Sequence, residues 1–231
     1  MKVQVAFTQD LRRNPYKGLY IAIEGIDGSG KSTQIKALSD QLKTASIPVV
    51  TIHEPNDNTY IGNLIRNTLN AKVALPSRAF QSLFSADRAL NHASLTEPAL
   101  EKGNIVLSHR SNWTTIPYGI EDIDSSFTVA SAYHIGVANG LLSYYHQFII
   151  PDMTFYLDVS LETVMKRMLL MKKERDIYEQ EKKLKRVLNG YHSLLQKFPK
   201  EFIVINGESK EELVTKTILK QVVEKFKAKT R

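Results

Sequence analysis

Residues 25–32 read Gly25-Ile26-Asp27-Gly28-Ser29-Gly30-Lys31-Ser32, a G-x-x-x-x-G-K-S loop with Thr33 immediately behind it. The run before it, Leu19-Tyr20-Ile21-Ala22-Ile23, is apolar and β-branched between Gly18 and Gly25, which predicts a short buried strand. The run after it carries Ile35, Leu38 and Leu42 at helical spacing. Strand, glycine loop and helix together are the context in which this motif holds phosphate. Glycines let successive backbone N–H groups converge on one point, and the helix start adds partial positive charge there. Lys31 then reaches the β- and γ-phosphates, and Ser32 offers its hydroxyl to Mg²⁺. The loop from Gly25 to Thr33 is therefore read as a nucleoside triphosphate site.

Outward from the loop, apolar runs recur at 47–52, 104–108, 153–159 and 202–206. Helical patterns fill the gaps at 31–45, 60–70, 77–102, 127–148, 161–172, 177–197 and 210–228. Strands alternating with helices imply an α/β three-layer sandwich with a parallel sheet. Ligands in such sheets bind beyond the carboxyl ends of the strands, here near Gly25, Glu54, His109-Arg110, Asp158 and Asn206. Residues 1–17 precede the first core strand and read as an N-terminal extension to a single domain over 18–231.

The 231 residues, 42% hydrophobic and 24% charged, are enough for one well-buried core. No cysteine is present, which rules out disulfides and thiolate metal sites and suits a reducing cytoplasm. No apolar run approaches the ~20 residues needed to span a bilayer. The net charge of +7 lies in the C-terminal third. Residues 1–161 hold 13 Lys and Arg against 14 Asp and Glu, and residues 162–231 hold 18 against 10. No nucleic-acid-binding motif accompanies this excess, so solvated helix faces and attraction of polyanionic nucleotides are the favoured readings.

A phosphate loop alone does not separate a kinase from a GTPase or a motor. The last strand, Phe202-Ile203-Val204-Ile205-Asn206, is not followed by an Asn-Lys-x-Asp guanine reader, and a motor needs more chain. Arg66, Arg88, Arg110, Arg167 and Arg175 recur near the strand ends instead. Phosphoryl transfer consists largely of positioning and charge neutralisation, so a small kinase needs cations on both phosphate groups.

These residues also carry a resemblance. Ile23 to Gln34, His53-Glu54-Pro55, Gly62 to Arg66, Leu83 to Arg88, Ile105 to Arg110 and Pro151 to Val159 resemble, block by block, the thymidylate kinase family. The resemblance implies a five-stranded sheet ordered 2-3-1-4-5, a mobile lid over about 166–181, and a homodimer packed through helices at 60–102 and 127–148. It implies the reaction ATP + dTMP → ADP + dTDP, with Mg²⁺ and no nucleic-acid or membrane partner. Phe84 would stack on thymine, Arg88 would donate to a thymine carbonyl, and Arg66 and Arg110 would hold the monophosphate. Glu54, Thr115 and Tyr118 would line the nucleoside, and Asp27 would meet the sugar or phosphate. With Gly28 where some members carry a loop arginine, the assisting cation would be Arg175 or Arg167, helped by Lys172 and Lys173.

Two positions depart from the family pattern. His53 replaces an arginine, and His109 replaces the aspartate ahead of Arg110. Imidazole is a poor Mg²⁺ ligand beside a carboxylate, so His109 is doubtful as a ligand and Ser32 is left as the metal residue. At an unperturbed pKa of about 6.5, His109 would also gain charge on mild acidification. A kinase of another deoxynucleoside monophosphate or of a deoxynucleoside, or a binding protein without turnover, stay open as alternatives.

Overall fold

The computed structural model describes residues 10–118, 147–170 and 177–229. Strands β1 (Leu19–Glu24), β2 (Val49–His53), β3 (Ile105–His109), β4 (Met153–Asp158) and β5 (Phe202–Asn206) form one parallel sheet in the order 2-3-1-4-5. The order and the parallel sense match the expectation. Residues 127–146 of the predicted helix, residues 1–9, Lys172, Lys173 and Arg175 lie outside the described residues, while Gln147 and Phe148 form a turn and bend instead of the helix end.

β1 sits at the centre, and every one of its residues is buried. This is why its sequence is a continuous apolar run instead of an alternating one. Leu19, Ile21 and Ile23 face one layer, where they meet Ile35, Leu38 and Leu42 of α1 (Lys31–Thr44) and Ile218 and Val222 of α7 (Glu211–Lys229). Tyr20 faces the opposite layer with Val106 and Leu100. That layer also holds Trp113, Tyr156 and the inner face of α6 (Ile177–Lys197), with α5 (Leu161–Leu170) near the rim.

The helix expected over 77–102 is interrupted. α3 (Ser77–Asn91) passes into a π turn over His92–Thr96 before α4 (Glu97–Glu101). Pro98 explains the break, because it has no N–H for the helical ladder and its ring crowds the carbonyl four residues back. α2 (Tyr60–Leu69) is capped by the Thr59 hydroxyl, which accepts from the Gly62 N–H. β2 begins after Pro48 instead of at 47, and the Pro48 carbonyl accepts from the Ile105 N–H.

Residues 10–17 run along the amino end of the sheet. Arg13 grips Glu201 at 2.6 and 2.7 Å, Arg12 and Tyr16 reach Glu97, and the Ile150 N–H donates to the Arg12 carbonyl. Asp152 accepts from Asn14, from the Tyr20 N–H and from Lys229 of α7. The start and the end of the described chain therefore meet on one carboxylate.

Candidate active site

The loop between β1 and α1 turns through Gly28 (φ +82°) and Gly30 (φ +102°), left-handed conformations that suit a residue without Cβ. Lys31 is buried and donates to the carbonyls of Gly25 (3.0 Å) and Ile26 (2.8 Å), with Asp27 Oδ1 at 3.8 Å. Burial and the charge of Arg110 lower its pKa to about 7. Arg167 of α5 lies over the loop, donating to the carbonyls of Ser29 (3.2 Å) and Gly207 (3.0 Å). A Cβ at Gly28 would stand 3.0 Å from Val164 Cγ1, so a side chain there would have to push Val164 aside and adopt the positive φ as well.

Facing the loop is the segment after β3. Arg110 donates Nη2 to Asp27 Oδ1 (2.5 Å) and to the Tyr118 hydroxyl (3.0 Å), and its guanidinium lies 4.6 Å from the Tyr118 ring centre. Its Nη1 is buried with no acceptor among the described residues. Burial opposes charge on Asp27, but Arg110, Lys31 and the Tyr118 hydroxyl outweigh it and hold the carboxyl well below the usual range.

The far wall comes from β2, α2 and α3. Glu54 and Arg88 form a buried ion pair, with Arg88 Nε 2.9 Å from Glu54 Oε2 and Nη2 closer still, while Nη1 donates to Thr115 Oγ1 at 2.9 Å. A guanidinium neutralised in this way suits a neutral carbonyl better than a phosphate. Phe84 packs edge-on against Phe80 at 5.1 Å, and Arg66 is held by Asp57 at 3.0 and 3.2 Å. Lys31, Ser32, Arg66, Phe84, Arg88 and Tyr118 all line one cavity of about 750 Å³.

His53 and His109 occupy matching register positions on neighbouring parallel strands, so their side chains share a face and stack at 5.2 Å. His109 Nε2 lies 3.2 Å from Ser32 Oγ. The expectation that mild acid charges His109 is overturned. Burial, Lys31, Arg110 and His53 all disfavour its cation and depress its pKa to about 2.

The structure thus brings loop residues Asp27 to Thr33, Glu54, Arg66, Phe84, Arg88, Arg110, Thr115, Tyr118 and Arg167 to one cavity; Gly25 and Ile26 do not line it, Ile26 being packed in the core, and Arg175 lies outside the described residues. Sequence reasoning missed Phe80, Gln81 and Lys183, which also line it. It also missed Asp57 as the partner of Arg66. Phe80, spaced i,i−4 from Phe84 on α3, was the one with a readable signal. Three carboxylates at the strand ends are engaged by other groups: Asp27 by Arg110, Glu54 by Arg88, and Glu24 by hydroxyl donors. Among the described residues, no group of three or more His, Cys, Asp or Glu is placed to hold a metal ion. One hydroxyl beside phosphate oxygens and water still fits Mg²⁺, which dehydrates reluctantly.

Sequence comparison with known proteins identifies the family. The sequence model of the family described as thymidylate kinase matches residues 23–218. A thymidylate kinase of Thermoanaerobacter sp. (strain X514) is 34% identical over 220 residues, covering 91% of this chain and 99% of that protein. One from Exiguobacterium sp. (strain ATCC BAA-1283 / AT1b) is 30% identical, covering 90% of this chain and 96% of its own. A probable thymidylate kinase of Methanosarcina acetivorans is 29% identical with 90% and 97% covered. Phosphate loop, sheet order and near end-to-end similarity converge, and the chain belongs to the thymidylate kinase family.

Proposed function

We propose that this protein transfers the γ-phosphoryl group of ATP to dTMP, giving ADP and dTDP. The observation that carries this reading is Arg110. Its buried Nη1 has no acceptor among the described residues, it lines the cavity, and it stands between the donor loop and the nucleoside wall. A buried guanidinium nitrogen without a partner is costly, and a phosphate oxygen supplies what it lacks.

An oxygen of the dTMP 5′-phosphate attacks the γ-phosphorus, and the bond from that phosphorus to the β–γ bridging oxygen breaks. ADP leaves with the electron pair, and no covalent intermediate on the protein is needed. Lys31 leaves the Gly25 and Ile26 carbonyls to meet the β- and γ-phosphates, while Arg110 and Arg66 hold the acceptor phosphate. The acceptor oxygen is already anionic, so no strong base is required. Phe84 stacks on the thymine ring, and Arg88, steadied by Glu54 and Thr115, donates to a ring carbonyl. Tyr118 lies under the deoxyribose, where its bulk disfavours a 2′-hydroxyl. Ser32 and the nucleotide phosphates would hold Mg²⁺, which would supply charge neutralisation to the phosphates. Arg167 already touches the loop, and Arg175 is the further candidate for the assisting cation; closing over the site would also exclude water.

We further read the protein as a cytoplasmic homodimer. Among the described residues, no helix is long and apolar enough to cross a membrane. An ADP-release assay with dTMP, dUMP, dCMP, dGMP and thymidine tests the central assignment. Fastest turnover on dTMP supports it. Preference for another acceptor replaces dTMP, and binding of ATP without any turnover removes the kinase reading.

A further inference from the structure

Glu24 ends β1, one residue ahead of the phosphate loop, and is fully buried. Its carboxylate is surrounded by donors from two distant segments. Oε1 accepts from the Ser111 N–H (2.8 Å) and the Ser111 hydroxyl (2.7 Å). Oε2 accepts from Thr114 Oγ1 (2.6 Å) and from the Tyr191 hydroxyl on α6 (2.8 Å). Burying a carboxylate is costly unless donors surround it, so these contacts specify one placement of residues 111–114 against β1. Glu24, Ser111 and Tyr191 do not line the cavity.

Arg110 stands next to this cluster in a left-handed conformation (φ +79°), disfavoured for any residue with a Cβ. Such a state persists only where its surroundings over-determine it. The Arg110 N–H donates to the Ile23 carbonyl (3.2 Å), and the Ser108 hydroxyl donates to the Arg110 carbonyl (2.6 Å). The next N–H, that of Ser111, is the one held by Glu24. Both ends of the strained turn are thus fastened to β1, the strand from which the donor loop emerges. Behind the segment, α6 packs so closely that a Cβ on Gly190 would lie 2.9 Å from Pro117 Cα.

We infer that Glu24 is a positioning residue for the acceptor phosphate: it holds the Arg110 turn and, through Thr114, the start of the helical segment carrying Thr115 and Tyr118, in register with the donor loop. This rests on the reading of Arg110 as an acceptor-phosphate ligand. Glu24 acts through Ser111, Thr114 and Tyr191 and touches neither substrate.

The test uses the full chain in Glu24→Gln and Tyr191→Phe forms. dTMP and ADP binding are followed by calorimetry, and KM and kcat by ADP release. Glu24→Gln keeps the shape but replaces one acceptor oxygen with a donor. Its dTMP affinity is expected to fall about tenfold or more, the order expected for hydrogen bonds to a charged group, with ADP affinity kept within about twofold. Tyr191→Phe leaves the carboxylate its other donors, and a dTMP loss of about threefold to tenfold is expected. Faster amide exchange at Ser111 should accompany both, with the central strand still protected. Equal weakening of dTMP and ADP, or unchanged dTMP binding in folded Tyr191→Phe, overturns the inference. A wild type that binds dTMP but transfers nothing defeats the kinase reading, while the binding comparison still decides the role of Glu24. A wild type that does not bind dTMP overturns both.

Discussion

Nucleotide binding to this loop should take a proton from solvent. In the free protein, burial and Arg110 hold the Lys31 pKa at about 7. A polyphosphate beside the ammonium reverses that balance and returns the group toward its ordinary value of about 10.4. At pH 8 the free lysine is then roughly one-tenth protonated and the bound one almost fully, so binding should take up about 0.9 proton. At pH 6.5 the same arithmetic leaves about 0.2. Affinity should accordingly fall by nearly tenfold for each pH unit above about 8 until the bound lysine begins to titrate. The stability of the free protein moves the opposite way. Between the folded and unfolded pKa values the unfolded chain binds more protons at this position, so stability rises with pH through that window. ADP is the ligand of choice, since its phosphates are fully ionised above pH 8. Calorimetry in buffers of different ionisation enthalpy reads the uptake directly. Lys31→Arg, always charged, should show almost none. An uptake below about 0.3 proton at pH 8, or the same uptake in Lys31→Arg, would refute the reasoning.

Phe84→Ala should raise the KM for dTMP by roughly tenfold to a hundredfold, the range for lost base–aromatic stacking, and leave that for ATP within about twofold. Equal effects on both would place the base elsewhere. Gly28→Arg, which moves the missing cation into the loop, should not raise kcat. With φ at +82° and Val164 against the new Cβ, the melting temperature should instead fall by about 5 °C or more, measured by calorimetry. His109→Asp should lower the Mg²⁺ concentration for half-maximal rate by several fold, because a carboxylate replaces a neutral nitrogen beside Ser32. His109 itself should show no imidazole titration by NMR between pH 5 and 8, since burial and its cationic neighbours depress its pKa to about 2.

The parallel sheet could be read from the sequence because β1 is buried on both faces and announces itself as the apolar run Leu19–Ile23. The loop was equally plain, since its function depends on residues adjacent in the chain. What remained hidden depends on residues far apart. Nothing around Lys31 says that Arg110 will press on it from another strand end and lower its proton affinity. The stacking of His53 on His109 follows from parallel register, which exists only after β2 and β3 pair. Glu24 reads as one polar residue closing an apolar strand, and its donors come from positions 111, 114 and 191. The π turn at 92–96 is not legible in the sequence, because the apolar spacing of the helical pattern continues past Pro98.

The meeting of Asn14 and Lys229 on Asp152 allows this chain to be rearranged. Both ends of the described structure lie on the side of the sheet away from the phosphate loop. A short flexible linker could join them without crossing the molecule, and the chain could be reopened at an exposed turn such as the one between α1 and β2. Such a circular permutant would keep the loop, Arg110 and Arg88 on their own strands and helices. It would sever only the order in which a ribosome delivers them. Retained ADP release by that protein would show that the architecture, and not the order of synthesis, assembles the site.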